Sequence, residues 1–179
     1  MRFRKHKDEQ RLDSNEGDWV TVIHRSAEQG DQTISAHWKT GSYAYVVSAS
    51  MKYDQGLMSG FDCDSYIRIH NPTEFGARIS RQIPGFRSGG EGPCLYQANR
   101  IVGGDGEYVD PKRFKTAEDL GKFINDKAQH IPFFIKHNSF AHQVEYRMIW
   151  ITDHEVNDFL DIKCPEAVEL CSRPTKVFE

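Results

Sequence analysis

The sequence predicts an α+β fold in which mainly antiparallel sheets are combined with two or more short helices. Three observations indicate this class. Runs of aromatic and β-branched residues recur along the chain, two segments carry helix-start signals, and no repeat or second domain is visible. With 179 residues, 38% of them hydrophobic and 27% charged, the chain has the size and composition of one globular domain. We expect a charged N-terminal tail over residues 1–17 and a single domain over residues 18–179.

The strands are predicted from β-rich runs that end at polar or turn-forming residues. These runs cover residues 19–25, 43–50, 65–70, 94–102 and 143–151. Residues 133–136 are expected to form a hairpin with the last run around residues 137–142, and a final strand is expected within residues 159–171, interrupted near Pro165. Residues 87–93 are interpreted as a flexible connection and residues 103–106 as a hairpin turn.

Two helices are predicted from their first residues. Residues 71–74 (Asn-Pro-Thr-Glu) combine an N-cap, a proline for the first helical position and a glutamate three residues after the cap. The apolar residues Phe75, Ile79 and Ile83 recur at every fourth position behind this start, and residues 84–85 (Pro-Gly) end the segment. Residues 116–119 open the second helix, whose apolar face consists of Ala117, Leu120, Ile124 and Ile131 and which ends at Pro132.

Composition and cysteine usage narrow the class of protein. The net charge of −3 disfavours a dedicated nucleic-acid binder. No apolar run is long enough to span a membrane or to form a signal peptide, so we expect a cytoplasmic protein without a membrane partner. The cysteines at 63, 94, 164 and 171 form no C-x-x-C pair and are expected to be reduced thiols. No metal site is expected, because the histidines show no ligand spacing with them.

The run over residues 143–151 has a polar face. Side chains alternate along a strand, so Gln143, Glu145 and Arg147 are predicted to share one side of it. Such groups are costly to bury without partners, and a ligand is one candidate partner. The alternative is that they are solvated on an open sheet face. Arg147 could also pair with Glu145, which would leave the carboxylate less available for chemistry.

Three segments, in their order along the chain, resemble motifs of the ADP-ribosyltransferase superfamily. Arg25 ends an early strand, and Ser48-Ala49-Ser50 ends a second one where the family has Ser-Thr-Ser. Gln143-Val144-Glu145 matches the motif of glutamine or glutamate, any residue, then glutamate. The resemblance covers roughly residues 19–152 and departs from the family at the middle residue of the serine motif. The Gln-x-Glu-Tyr-Arg strand is also similar to an uncharacterised family of bacterial domains that ends in an acidic-x-Glu-aromatic-Arg strand.

The resemblance implies an ADP-ribosyltransferase-like fold and an enzyme that uses NAD as its substrate. Loss of nicotinamide leaves a ribosyl cation of oxocarbenium character, which carboxylates stabilise in glycoside cleavage. Glu145 is implied to be this catalytic carboxylate. Gln143 is implied to orient the acceptor, which would be a protein or nucleic acid modified at a group other than arginine. Without an organised acceptor, the same site would make the chain an NAD glycohydrolase.

The resemblance also implies binding roles for residues outside the catalytic motif. Arg25 would pair with the pyrophosphate, since its planar fork binds phosphate oxygens in bidentate fashion. Ser48 would position Glu145, Ser50 would lie near the nicotinamide ribose, Tyr53 would stack on nicotinamide, and Phe140 would contact the acceptor. Each has a structural alternative: Arg25 as a surface residue, the serines as exposed hydroxyls, and the aromatic residues as core.

A different class of function also stays open, namely a non-catalytic binding or inhibitor domain on the same scaffold. The sequence leaves open a biological role as a toxin, as a regulator or in host–virus conflict, and it leaves the oligomeric state open as well.

Overall fold

The structure, a computed structural model, describes residues 18–25, 32–39, 41–99, 101–102, 115–156 and 159–173. Its strands are β1 (Asp18–Arg25), β2 (Gln32–Lys39), β3 (Ala44–Ser50), β4 (Arg68–Ile69), β5 (Phe86–Pro93), β6 (Leu95–Gln97), β7 (Ile101–Val102), β8 (Ile135–His137), β9 (Glu145–Thr152) and β10 (Cys171–Ser172). Its α-helices are α1 (Gln55–Gly60), α2 (Pro72–Ser80), α3 (Ala117–Ala128) and α4 (Pro165–Val168). Within the described ranges, 3-10 turns cover Gly41–Tyr43, Ile131–Phe134 and Asn138–Gln143.

The sheet that positions the site has the strand order β3-β9-β5 and is antiparallel throughout. β9 lies at its centre, and β3 pairs with it from Ala44 opposite Ile151 to Ser50 opposite Glu145. In the other sheets, β2 pairs antiparallel with β1, β7 pairs parallel with β1, β10 pairs antiparallel with β4, and β6 pairs parallel with β8. The prediction of an α+β fold dominated by antiparallel pairs is confirmed.

One face of the β3-β9-β5 sheet packs against α2 and α4. Alternation along β9 directs Met148 and Trp150 to this face, and the indole Nε1 of Trp150 donates a hydrogen bond to the Gly76 carbonyl oxygen in α2 at 3.0 Å. The buried residues of this core are Tyr45, Phe75, Ile79, Ile83, Met148, Trp150, Ile162, Cys164 and Ala167. Glu145 and Arg147 therefore lie on the opposite face of β9, which contacts the 3-10 turn Ile131–Phe134.

Both predicted helix starts are confirmed by their capping hydrogen bonds. The Asn71 side chain accepts a hydrogen bond from the Glu74 backbone N–H at 3.0 Å, and Pro72 occupies the first turn of α2. Before α3, the Asp119 N–H donates to Thr116 Oγ1 at 3.0 Å while the Thr116 N–H donates to Asp119 Oδ2 at 3.1 Å. These reciprocal bonds satisfy amide groups that a helix start leaves unpaired, which is why the sequence signal was reliable.

Several strand predictions were wrong. Residues 87–93, predicted to be a flexible connection, form most of β5, because main-chain pairing with β9 does not depend on apolar side chains. The run over residues 65–70 retains strand structure only at β4, and the run over residues 94–102 contains β6 and β7 as separate strands. The final strand within residues 159–171 is replaced by α4, with β10 beginning at its end. The strand β2 was not predicted at all.

The hairpin predicted around residues 137–142 was also wrong. β8 pairs in parallel with β6 instead of with β9, and the segment that follows is the 3-10 turn Asn138–Gln143. The predicted tail over residues 1–17 and the predicted turn over residues 103–106 lie outside the described residues. None of the helices among the described residues combines the length and apolar character needed to cross a membrane.

Candidate functional site

Gln143 lies outside the strand to which the sequence assigned it. It ends the 3-10 turn Asn138–Gln143, and β9 begins two residues later at Glu145. Between them, Val144 adopts left-handed backbone dihedrals, with φ 44° and ψ 55°. A β-branched residue rarely occupies this region, so the backbone is strained at the start of the central strand. Hydrogen bonds hold it there: the Met51 N–H donates to the Val144 carbonyl oxygen at 3.0 Å.

The carboxylate of Glu145 is the centre of the site. The residue is buried, with 4% relative exposure, and the Ser48 hydroxyl donates a hydrogen bond to Glu145 Oε1 at 2.6 Å. Arg147 Nε donates to the same oxygen, while Lys136 Nζ donates to Oε2. The backbone is fixed as well, since the Glu145 N–H donates to the Tyr96 hydroxyl at 2.7 Å. Glu145 therefore has a single, well-defined position with three side-chain donors.

Lys136 is the member of the site that sequence reasoning missed. It lies in β8 with only 6% relative exposure, and its Nζ also donates to Gln143 Oε1 at 2.7 Å. The Phe140 ring centroid lies 4.7 Å from the same nitrogen, within the range of a cation–π contact. A lysine directly after the apolar run of residues 131–135 was a usable signal, because a charged side chain in a buried segment needs partners.

Arg147 contacts Glu145 from within the same strand, β9. It has 2% relative exposure, and its NH1 donates to the Phe133 carbonyl oxygen at 2.5 Å in addition to the bond from Nε to Glu145. The pairing that the sequence left open is therefore present. We refer to Lys136, Gln143, Glu145 and Arg147 as the buried polar cluster.

The electrostatics of the buried polar cluster keep Glu145 ionised. Burial raises the pKa of this carboxyl, but the charge of Arg147 and the hydrogen bond and charge of Lys136 outweigh it, so the pKa lies below its ordinary value. Two cations, Lys136 and Arg147, contact the one Glu145 carboxylate. The arrangement can hold a carboxylate anionic and immobile next to an exposed serine, Ser48.

The remaining predicted site residues lie at different distances from the cluster. The Ser50 hydroxyl, exposed, bonds the carbonyl oxygens of Gln143 and Lys52, each at 2.9 Å. Tyr53 is 55% exposed, and its ring centroid lies 5.0 Å from that of Tyr66. These contacts place Ser50 against the cluster and leave Tyr53 on the surface.

The last two predicted site residues are Phe140 and Arg25. Phe140 is half-buried above Lys136 and is not the fully exposed contact that an acceptor-binding role favours. Arg25 ends β1, whose sheet is separate from the one that carries Ser48 and Glu145, and its side chain lies outside the described residues. The convergence of Arg25 on Glu145 stays a prediction.

Comparisons of the chain with protein-family models, with curated proteins and with solved structures found no match. The resemblance to the ADP-ribosyltransferase superfamily therefore rests on the three sequence motifs. Among the described residues, no group of three or more histidine, cysteine, aspartate or glutamate side chains is placed to hold a metal ion.

Proposed function

We propose that the chain cleaves the nicotinamide–ribose bond of NAD+ and transfers ADP-ribose to a non-arginine acceptor, a protein or a nucleic acid, with Glu145 as the catalytic carboxylate. The observation that supports this proposal is the 2.6 Å hydrogen bond from Ser48 Oγ to Glu145 Oε1, across the neighbouring strands β3 and β9. This is the positioning contact expected from the serine motif and the glutamate motif together.

The cluster gives Glu145 the charge that the proposed reaction needs. An ionised carboxylate stabilises a developing ribosyl cation, and the lowered pKa of Glu145 keeps it ionised at neutral pH. Ser48 and the backbone bond to Tyr96 fix its direction. Preorganised charge of this kind contributes about a hundredfold or more in rate.

Access to Glu145 requires a local movement. The residue is 4% exposed, but its Ser48 partner is exposed, so the carboxylate lies one hydrogen bond below the surface. In this proposal, the 3-10 turn Asn138–Gln143 moves away to admit the nicotinamide ribose, because it carries Gln143 and Phe140 over Lys136.

A location in the cytoplasm belongs to the same proposal and fits the free thiols of all four cysteines.

The test is release of nicotinamide from NAD+, measured by chromatography with and without cell lysate as a source of acceptor. Ser48→Ala should lower the turnover number by about tenfold to a hundredfold, the range expected for one hydrogen bond to a charged group. Ser65→Ala is the matched control, because its exposed hydroxyl only bonds the neighbouring Asp64 at 3.0 Å. If purified protein with lysate neither consumes NAD+ nor attaches labelled ADP-ribose to any acceptor, the proposed enzymatic activity is wrong.

The products separate transferase from glycohydrolase. Labelled ADP-ribose that becomes attached to lysate macromolecules indicates transfer, whereas free ADP-ribose with no labelled acceptor indicates hydrolysis at the same site.

The second candidate is a non-catalytic binding or inhibitor domain, and the burial of Glu145 between two cations favours it. Lys136 and Arg147 occupy both oxygens of the carboxylate, as in a structural ion network. This candidate predicts no nicotinamide release from the wild type or from Ser48→Ala, with both proteins folded by circular dichroism.

A further inference from the structure

A groove of about 270 Å³ lies on the face of the central sheet opposite Glu145. It runs between α2 and the edge strand β5, and it is lined mainly by carbon atoms. Its walls include Thr73, Gly76, Ala77, Phe86, Glu91 and Trp150. The buried polar cluster contributes nothing to these walls, so the groove is independent of the function proposed above.

Size and shape of the groove suit one aromatic ring with a short chain. An engineered cavity of about 150 Å³ accepts benzene, so about 270 Å³ holds a ring and several further atoms. Gly76 and Gly89 are among the residues that line the groove. A Cβ atom on Gly89 would lie 2.8 Å from the Ile149 carbonyl oxygen and 3.4 Å from the Phe86 ring. A Cβ on Gly76 would lie 4.0 Å from both Met148 Sδ and Trp150 Cζ2, which is an ordinary contact.

The charge of the groove selects among such ligands. Glu91 accepts a hydrogen bond from the Thr73 hydroxyl and is bonded to the Tyr146 side chain. Both partners are neutral, and in the described part of the chain no ion pair joins Glu91 to a lysine or arginine. A carboxylate offers about four acceptor sites, so Glu91 keeps capacity for a further donor. A cationic ligand would supply both the donor and the missing positive charge.

We propose that this groove binds small arylalkylamines, with the ring between Gly76, Phe86 and Trp150 and the ammonium group on Glu91. The ring gains apolar contact mainly with the exposed Phe86 side chain, and the ammonium makes a charge-assisted hydrogen bond to the carboxylate. A carboxylate ligand of the same shape is rejected, because Glu91 would repel it.

The test compares phenethylamine with 3-phenylpropionate, which have similar shapes and opposite charges. The reporter is the indole N–H of Trp150 in ¹H–¹⁵N NMR, since Trp150 is one of the residues that line the groove and its N–H bonds Gly76, another of them. The chain has three tryptophans, so Trp19→Phe and Trp38→Phe identify its cross-peak by elimination. Phenethylamine should shift the Trp150 peak with a dissociation constant of about 1 mM or a few times that, and 3-phenylpropionate should bind at least about tenfold more weakly.

Two variants then separate the roles of charge and space. Glu91→Gln should abolish the preference for the amine, whereas Glu118→Gln, which removes an exposed carboxylate in α3, should leave it unchanged. Gly76→Ala should keep the fold, because its Cβ meets only ordinary contacts, but it should weaken phenethylamine binding by about tenfold by filling the groove.

The proposal is overturned if phenethylamine leaves the Trp150 peak unmoved, or if 3-phenylpropionate binds equally well. It is also overturned if Gly76→Ala binds the amine like the wild type while remaining folded by circular dichroism.

Discussion

Lys136→Met and Glu145→Gln remove opposite charges from the same buried polar cluster and leave it in different electrostatic states. The wild type has two cations and one anion there. Lys136→Met leaves one ion pair, Glu145 with Arg147, and Ser48 still donates to the carboxylate. Glu145→Gln removes the carboxylate that both buried cations contact.

The magnitudes follow from what each variant leaves unpaired. Removing one partner of a buried ion pair costs about 3–5 kcal/mol, and Glu145 takes part in two such pairs, so Glu145→Gln is expected to lose that much stability. Lys136→Met removes one donor from Gln143 and one from Glu145 and is expected to cost about 1–3 kcal/mol, the penalty for taking a hydrogen-bond partner from buried polar groups. The difference between the two variants is therefore about 2 kcal/mol, despite the similar burial of both residues.

The assay is urea unfolding at pH 7, followed by far-ultraviolet circular dichroism and extrapolated linearly to zero denaturant. Lys52→Met is the control, because the Lys52 side chain forms an exposed pair with Asp54 at 3.1 Å, and its loss should cost less than about 1 kcal/mol. If Lys136→Met is as destabilising as Glu145→Gln, or more so, loss of the carboxylate that two cations share is not the larger effect and the electrostatic reasoning is refuted.

Three further predictions concern pH and the backbone. Folding lowers the pKa of Glu145, so its stabilisation is present above the ordinary value of 4.5 and is lost as the pH falls below it; acid titration of unfolding should show a shallower loss in Glu145→Gln. Burial lowers the pKa of His130, so the unfolded state takes up its proton first, and stability should fall between about pH 7 and pH 5. His130→Gln should flatten that window, and an unchanged slope would contradict the assignment. Val144→Gly should change the free energy of unfolding by less than about 1 kcal/mol, because relief of its left-handed strain offsets the lost side chain. Val46→Gly, equally half-buried but in extended β3, should cost about 2 kcal/mol in the same urea assay, and equal losses in the two variants would argue against strain.

Features that depend on neighbouring residues could be predicted from the sequence. The caps at Asn71 and Thr116 act within one helical turn, so their side chains alone predicted where α2 and α3 begin. β1 and β3 were predicted because their β-rich composition is local as well.

Features that depend on pairing between distant segments could not be predicted from the sequence. β5 has the sequence Phe-Arg-Ser-Gly-Gly-Glu-Gly-Pro, without alternation, and becomes a strand because β9 offers main-chain partners. β8 lies next to β6 in parallel, a choice that no local signal specifies.

The candidate site likewise has one part that local sequence predicted and another that it did not. Strand alternation was sufficient to predict that Glu145 and Arg147 share a face, and the order of the motifs suggested Ser48 as a neighbour. This reasoning did not predict Lys136, because that residue belongs to a different strand, β8. Burial of the charges also came from packing, since a strand face is covered or left open by remote segments. The alternation of β9 thus placed the polar groups together, and the surrounding elements made them a buried ion network.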